Sequence, residues 1–270
     1  MMKEGTAAAV EKRDQQQNSG VRVSRRFQTL KWAGRSYVVG ITILAIILII
    51  SPAQMDRVRY ALTQNPFVFA GYAGQVVAHK SQHSRADTLV VLGDSISRGV
   101  DTRAVYDGPA VNFGIGGDTL HGVSQRVATY DLEQTRKVLV LCGVNDMARY
   151  SDTEIIANYK TVLDDLKGKD ILVCAVLPLN EARFRPAYVT YINGNKVNNA
   201  RISGFNQLLD KLAQSYANVR FCNAGPLLAD AAGGLRADLT ADGIHPNKEG
   251  YRILQTYLKA QLSEVKRGAM

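Results

Sequence analysis

The stretch VVLGDSISRGV, residues 90–100, joins a short apolar run to an abrupt polar break at Gly93, Asp94 and Ser95. A continuous Val and Leu run without alternating polar residues is typical of a strand that is buried on both faces. A Gly-Asp-Ser turn after such a strand has two interpretations. It is an ordinary exit from a sheet, or it places the Ser95 hydroxyl at the rim of the sheet, where it can take part in chemistry.

Apolar runs of the same kind recur, and amphipathic stretches separate them. In the stretch from Ser151 to Gly168, Ser151 and Glu154 have the spacing of a capping box, and apolar residues follow on one helical face. Alternation of strand and helix predicts an α/β domain with parallel strands and helices on both faces of the sheet. Ligands of such sheets bind at the carboxyl ends of the strands, where the Gly-Asp-Ser turn lies. The apolar runs are residues 88–93, 110–114, 137–143, 170–178 and 218–225.

A nucleophilic serine requires a general base, and the region near the C-terminal end contains a candidate. Serine is weakly nucleophilic at neutral pH, so acyl transfer requires a base within hydrogen-bond reach and a group that orients the base. Asp242 and His245 are three residues apart. On one helical turn the carboxylate could reach Nδ1 of the ring, which leaves Nε2 free to take the proton of Ser95.

Two further motifs supply candidate donors for an oxyanion. The block NFGIGGDT, residues 112–119, contains glycines that let a backbone N–H face a substrate without a Cβ in the way. The motif GVND, residues 143–146, adds the uncharged amide of Asn145. We therefore expect Ser95 N–H, Gly117 N–H and Asn145 Nδ2 to form a three-donor oxyanion hole.

Through these four motifs the chain resembles the SGNH hydrolases, also called GDSL-type esterases and lipases, over about residues 88–262. The block at residues 112–119 looks most like the platelet-activating-factor acetylhydrolase branch. Ile96 replaces the usual Leu after the serine, which is a conservative change. The resemblance implies a flavodoxin-like, three-layer α/β/α fold with a five-stranded parallel sheet.

The resemblance also implies roles for individual residues. Ser95 matches the nucleophile, and His245 and Asp242 match the other two members of the triad. Gly117 and Asn145, with Ser95, match the oxyanion donors. The family needs no metal, and we expect no cofactor.

Other polar residues near the motifs have less reactive interpretations. Asp118 and His121 form a second Asp-x-x-His pattern, but Asp118 belongs to the glycine block, and we favour His245 as the base. We expect Asp94 and Asn112 to brace the active-site loops. Residues 179–197 make a long loop between a strand and a helix, which is either a wall of the substrate site or a plain surface loop.

The N-terminal region predicts a membrane anchor. Residues 36–55 carry no charge, and 20 residues of helix span about 30 Å, the thickness of one bilayer core. A cleaved signal peptide is the alternative, since Ser51-Pro52-Ala53 resembles a cleavage site, although the basic leader of 35 residues is long for one. The excess of Lys and Arg before residue 36 predicts a cytoplasmic N-terminus and an extracytoplasmic catalytic domain.

The organisation predicted from these features has four parts. A disordered, basic cytoplasmic tail covers residues 1–35, a transmembrane signal anchor 36–55, a connector with a short helix 56–86, and the hydrolase domain 87–266. We expect His79 and His83, in the polar connector, to be solvated.

The charge distribution argues against a nucleic-acid partner, and the cysteine positions argue against a disulfide framework or a zinc site. The net charge is +9, but residues 1–55 carry eight basic and three acidic side chains, which leaves 25 basic and 21 acidic ones for the remainder. The domain is nearly balanced, so we expect no nucleic-acid partner. Cys142, Cys174 and Cys222 each lie in an apolar run, which favours buried thiols over a disulfide framework or a zinc site. One disulfide among them is the alternative in an oxidising compartment.

The sequence therefore predicts a membrane-anchored serine esterase. The favoured substrates are small acyl esters, acetyl esters above all, on cell-surface carbohydrate. The alternatives are a lysophospholipase or thioesterase, and a sugar O-acyltransferase. A non-catalytic binding module of the cell envelope is a further alternative from a different class.

Overall fold

A computed structural model of the chain describes residues 72–80, 82, 87–188 and 197–264. The predicted tail, the predicted anchor at residues 36–55 and His83 lie outside the described residues, and the anchor stays a prediction. Within the described part, no helix combines the length and apolar character that crossing a bilayer requires.

The centre of the domain is a five-stranded sheet in which every neighbouring pair is parallel. The strand order is β2-β1-β3-β4-β5, the flavodoxin-like order that the family resemblance implied. β1 is buried along its whole length, as its continuous apolar run predicted. The strands are β1 Leu89–Gly93, β2 Ala110–Gly114, β3 Lys137–Leu141, β4 Asp170–Cys174 and β5 Val219–Cys222.

Helices cover the sheet in two groups. The helices of the described residues are α1 Tyr72–Lys80, α2 Ser95–Arg98, α3 Thr102–Val105, α4 Leu120–Val127, α5 Val144–Met147, α6 Asp152–Asp165, α7 Glu181–Tyr188, α8 Asn199–Gln214, α9 Gly225–Leu228 and α10 Lys248–Glu264, with a 3₁₀ helix at Ala237–Leu239. α4 packs on α6 and α6 on α8, whereas α10 packs on α3 and α9. Right-handed crossovers between parallel strands place these two groups on opposite faces of the sheet.

The start of α6 confirms the predicted capping box. The Ser151 side chain accepts a hydrogen bond from the Glu154 backbone N–H, and the Glu154 carboxylate accepts one from the Ser151 N–H. Ile155, Tyr159 and Val162 are fully buried on the inner face of the helix. The apolar spacing in this stretch therefore predicted both the helix and its buried side.

Around β4 the structure differs from the sequence prediction. The apolar run continues to residue 178, but β4 ends at Cys174. Beyond it, Asn206 of α8 bonds both the N–H and the C=O of Val176, and Asn199 does the same for Leu179. Two amide side chains thus replace a neighbouring strand, which satisfies a buried extended backbone.

The stretch predicted as a long loop at residues 179–197 begins with a helix, α7. Asn180 starts it, because its side-chain oxygen accepts from the Arg183 N–H and its carbonyl accepts from the Phe184 N–H. The fully buried Phe184 anchors the helix on the domain. Residues 189–196 lie outside the described part of the chain.

The three cysteines are buried free thiols, as predicted. Cys174 and Cys222 face each other across β4 and β5. Burial raises the pKa of the Cys142 thiol well above its ordinary value, which disfavours the reactive thiolate.

The prediction that His79 is solvated is wrong. His79 lies on α1, is 8% exposed, and stacks on Phe113 of β2 with ring centroids 4.8 Å apart. Its Nδ1 lies 3.1 Å from the Tyr130 hydroxyl. Tyr72 and His79 are two turns apart and share the buried side of α1. Although this stretch is polar in composition, one face of its helix packs against the domain. Burial, aided by the charge of Arg126, lowers the pKa of His79 from 6.5 to about 4.

We predict that His79 makes the folded state sensitive to acid. Because the pKa of His79 is lower in the folded state, the unfolded chain binds a proton at a pH where folded His79 stays neutral. Protonation of the unfolded chain therefore reduces the free energy of unfolding as the pH falls from 6.5 towards about 4. Chemical denaturation at pH 7, 6 and 5 should show the free energy of unfolding falling more steeply for the wild type than for His79→Leu. His121→Leu, which removes an exposed histidine, is the control and should follow the wild type. Parallel pH profiles for the wild type and His79→Leu would contradict the assignment.

Candidate active site

The site is built where three neighbouring strands end. β1 lies between β2 and β3, and Gly93 at its end is in register with Gly114 on one side and Leu141 on the other. The Ile115 N–H donates to the Gly93 carbonyl at 3.0 Å, so the glycine block continues from β2 beside the Gly-Asp-Ser turn. Three of the four motifs therefore meet at one edge of the sheet.

Ser95 is the first residue of α2, immediately after the turn. Gly93 has φ of +145°, and a Cβ there would lie 1.9 Å from the Leu141 carbonyl oxygen, so only glycine fits. Asp94 caps α2 by accepting from the Ile96 N–H at 2.8 Å. Burial raises the pKa of Asp94 to about 6, and the bond from Ile96 opposes that shift. Asn112 donates to the Ser97 and Val100 carbonyls, so Asp94 and Asn112 brace the site as predicted.

Asp242 and His245 lie on a braced loop rather than on a helical turn, so the predicted local geometry was wrong although the spacing was sufficient. Oδ1 of Asp242 accepts from the backbone N–H groups of Ile244 and His245 at 3.0 and 2.9 Å. The Thr240 hydroxyl accepts from the Gly243 N–H and donates to the His245 carbonyl. These bonds hold the loop without involving the histidine ring.

The structure brings Ser95, His245 and Asp242 into one chain of hydrogen bonds. His245 Nε2 lies 2.8 Å from Ser95 Oγ, and His245 Nδ1 lies 2.6 Å from Asp242 Oδ2. The carboxylate can only accept, so Nδ1 carries the proton and Nε2 is the acceptor for the serine hydroxyl. The side chains of His245 and Asp242 are 35% and 34% exposed, so a substrate can reach them.

The three predicted amide donors lie around the same edge. Asn145 sits in α5 after β3, is 4% exposed, and donates through Nδ2 to the Asp118 carbonyl at 2.9 Å. A primary amide has two N–H donors, and only one of them is engaged by a described residue. The backbone N–H groups of Ser95 and Gly117 make no hydrogen bond to the described part of the chain. All three residues therefore retain a donor that could face a bound oxyanion.

The second Asp-x-x-His pattern does not form a catalytic pair. Asp118 is fully buried and bonds Arg126 Nε through Oδ2 at 2.8 Å. The exposed His121 bonds Gln125 instead, at 2.8 Å. His245, rather than His121, is therefore the histidine that contacts Ser95.

Sequence reasoning missed two buried charged residues beside the site. Arg126 lies on the inner face of α4 with the buried residues Val123 and Val127. Asp146 is fully buried, and its carboxylate accepts from the Leu120 N–H through both oxygens, at 3.0 and 3.1 Å. Burial raises the pKa of Asp146 well above its ordinary value. A charged residue inside an apolar helical stripe was the only signal of Arg126 in the sequence.

Among the described residues, no group of three or more His, Cys, Asp or Glu side chains is arranged to hold a metal ion.

Comparison with known families agrees with this geometry. The sequence model of the GDSL-like lipase/acylhydrolase family matches residues 91–253, more than half of the chain. The chain belongs to this family. It is accordingly an acylhydrolase that acts on ester bonds, of the type also known as SGNH hydrolases.

A curated relative is similar to the chain. Thioesterase 1/protease 1/lysophospholipase L1 of Escherichia coli (strain K12) is 28% identical over 194 residues, which cover 66% of this chain and 84% of the relative.

Two solved structures share the fold. A Streptococcus pneumonia protein described as a candidate platelet activating factor has a TM-score of 0.61 and 22% identity, covering 83% of this chain and 99% of its own. A carbohydrate esterase family 3 protein from Talaromyces cellulolyticus has a TM-score of 0.51 and 15% identity, covering 68% of this chain and 100% of its own. At such identities the likeness establishes the architecture alone.

Gly243, between Asp242 and His245, gives a test of the loop. Its φ is +86°, and a Cβ would lie 2.4 Å from the Phe184 N and 2.6 Å from the Asn180 O. We predict that Gly243→Ala displaces the loop and lowers kcat for ester hydrolysis by about 100-fold or more, since an ångström of misplacement costs that much. Gly168→Ala is the control, because Gly168 has φ of +83° but open space around it. That variant should lose about 1–2 kcal/mol of stability and keep its kcat. Equal kcat values for the two variants would refute the role given to this loop.

Proposed function

We propose that Ser95, His245 and Asp242 are the catalytic triad of this ester hydrolase. The observation that carries the proposal is the continuous chain of hydrogen bonds from Ser95 Oγ through the His245 ring to Asp242, with distances of 2.8 and 2.6 Å. These are the distances at which a base can take a proton from a nucleophile and be oriented by a third group. Family membership supports the same assignment.

In the proposed reaction, Ser95 Oγ attacks the carbonyl carbon of the ester while its proton moves to His245 Nε2. Asp242 holds the ring by its Nδ1–H and stabilises the imidazolium. The tetrahedral intermediate collapses when His245 gives the proton to the departing alcohol oxygen, and the acyl group remains on Ser95. Water then attacks the acyl-enzyme, with His245 taking its proton. The bond between Ser95 Oγ and the acyl carbon breaks, His245 returns the proton to Ser95 Oγ, and the carboxylic acid leaves.

The negative charge of the intermediate falls on the former carbonyl oxygen. We propose that the N–H groups of Ser95 and Gly117 and one N–H of the Asn145 amide bind it there. The support is that each of these residues retains a donor without a partner among the described residues. Fixed donors stabilise the developing charge without having to reorient during the reaction.

Replacement of the nucleophile tests the proposal directly. Ser95→Ala should lower kcat for a short p-nitrophenyl ester by at least about 10⁴-fold, because the alanine methyl group cannot form the acyl-enzyme. A fluorophosphonate probe should label the wild type at Ser95 and leave the variant unlabelled. Ser124→Ala removes a hydroxyl that donates to the His121 carbonyl; this variant is the matched control and should behave like the wild type. Unchanged hydrolysis by Ser95→Ala would refute the triad, and absence of labelling in the wild type would favour a non-catalytic binding module.

For the substrate, we propose small acyl esters, acetyl esters above all, on cell-surface carbohydrate. Three observations support this choice. The block at residues 112–119 resembles that of the acetylhydrolase branch, a carbohydrate esterase shares the fold, and the N-terminal sequence predicts export of the domain. None of these concerns the acyl pocket itself, so the chain length of the acyl group is the property to measure.

A second candidate is hydrolysis of lysophospholipids or thioesters. The Escherichia coli relative, named for both activities, is 28% identical and covers 66% of this chain, which favours this alternative specifically. Such substrates carry long acyl chains and require an apolar channel, whereas an acetyl group requires only a small cavity.

A chain-length series separates the two candidates. We expect kcat/KM to be highest for the acetyl ester among p-nitrophenyl esters from two to twelve carbons, and to fall by about tenfold or more by eight carbons, because a small pocket excludes longer chains. Acetylated xylan or chitin oligosaccharides should then release acetate. A maximum at eight or more carbons, with hydrolysis of lysophosphatidylcholine or acyl-coenzyme A, would establish the second candidate instead.

A further inference from the structure

A buried ion pair adjoins two of the proposed oxyanion donors, because Asp118 follows Gly117 in the chain and accepts a hydrogen bond from Asn145. The side chains of Asp118 and Arg126 are 0% and 1% exposed, and Arg126 Nε lies 2.8 Å from Asp118 Oδ2. Burying two charges is costly, and an apolar pair of similar volume often gives equal or greater stability. Net stability therefore does not explain why these two charged residues are buried here, and their hydrogen-bond partners indicate another role.

The guanidinium of Arg126 joins three separate parts of the domain. Besides Asp118, it donates from Nη2 to the Gly93 carbonyl at 2.9 Å and from Nη1 to the Tyr130 hydroxyl at 3.2 Å. Gly93 is two residues before Ser95, on the strand that carries the proposed nucleophile. A planar group with donors in a fixed fork holds these partners at fixed separations, which a flexible ammonium cannot do.

Asp118 connects the same cation to the other two donors. It follows Gly117 in the chain, and its carbonyl accepts the hydrogen bond from Asn145 Nδ2 at 2.9 Å. Its carboxylate Oδ1 accepts from the Thr119 N–H at 2.9 Å. Each proposed oxyanion donor is thus no more than two residues, or one hydrogen bond, from a group that Arg126 or Asp118 holds.

We propose that Arg126 and Asp118 are positioning residues that fix Ser95 N–H, Gly117 N–H and the Asn145 amide relative to one another. The inference rests on the proposed function, in which these donors bind the oxyanion. Neither residue is assigned contact with the substrate. They act on the rate because a donor that is misplaced stabilises the transition state less well.

The network ends on α1, outside the residues that match the family. The Tyr72 hydroxyl donates to Asp118 Oδ1 at 3.3 Å, and His79 Nδ1 lies 3.1 Å from the Tyr130 hydroxyl that Arg126 also contacts. Helix α1 precedes the matched residues, which begin at residue 91. In this arrangement, docking of α1 helps to hold Asp118 and Arg126, and so contributes to turnover.

The test is Arg126→Lys in the full chain. A lysine can keep the charge next to Asp118 but cannot reach the Gly93 carbonyl and the Tyr130 hydroxyl at the same time. With active sites counted by fluorophosphonate labelling, we expect kcat for a p-nitrophenyl ester to fall by about 10- to 100-fold, less than for complete loss of one donor, with KM within about threefold. Leu209→Ala, which opens a cavity in the core beneath α8, is the destabilised control and should keep its kcat per labelled site.

A transition-state analogue separates positioning from mere loss of structure. A boronic acid forms a tetrahedral adduct on a serine, so its Ki should rise across the variants in proportion to the fall in kcat/KM. Tyr72→Phe, which leaves the ion pair intact, should show a smaller loss of kcat of about threefold to tenfold, and it carries the test if Arg126→Lys does not fold.

The outcomes are distinguishable. If the wild type is labelled at Ser95 but the variants keep the wild-type kcat per labelled site, the positioning role is overturned and the triad stands. If kcat falls while the Ki of the boronic acid stays constant, the positioning role is overturned as well. If the wild type is not labelled, the proposed function fails, and the positioning role fails with it.

Discussion

Parallel pairing of β1 with β2 on one side and with β3 on the other is the constraint on which this site depends. Parallel strands all end at one edge of the sheet, so the Gly-Asp-Ser turn, the glycine block and the Gly-Val-Asn-Asp motif emerge side by side. The fourth motif comes from the loop before α10, and the 2.8 Å contact between His245 and Ser95 closes the set. Residues 150 positions apart in the sequence thus become neighbours in the fold.

The edge of the sheet is held together mainly by buried polar groups. Asp94, Asp118 and Asp146 are all nearly or fully buried, and burial raises the pKa of each. Each carboxyl group accepts at least one backbone N–H, from Ile96, Thr119 and Leu120 respectively. A buried network of this kind is costly unless every member is satisfied, but when satisfied it specifies a single geometry. That property suits a site whose donors must be fixed before the substrate arrives.

Much of the architecture was readable from local patterns. Five apolar runs predicted the five strands. The signal was clearest for the inner strands β1, β3 and β4, because a strand covered on both faces has few polar positions to interrupt it, whereas the edge strands β2 and β5 are partly exposed. The capping box of α6 was readable for a similar reason, since both of its hydrogen bonds lie within four residues. The motifs singled out for Ser95, Gly117, Asn145, Asp242 and His245 lie at the strand ends or in the last loop, where the parallel fold required them to be.

Other features depended on partners that are distant in sequence and had no local signature. The sequence around Asn199 and Asn206 does not reveal that their side chains bond the segment after β4, because that role depends on the packing of α8 against this segment. His79 was judged by its polar neighbours, but its environment is set by Phe113 and Tyr130, far along the chain. Asp242 and His245 had a spacing that suits a helical turn, whereas Thr240 and the backbone of the loop select a different turn.

The sequence by itself determined the strands, the parallel α/β class and the identity of the motif residues, because hydrophobic periodicity and short-range spacing are written into consecutive residues. Only the tertiary structure decided which histidine meets Ser95, where the buried charge of Arg126 is compensated, and that α1 packs on the domain. These are questions of long-range contact: a side chain's partner is known only when the sheet order and the packing of the helices have been fixed.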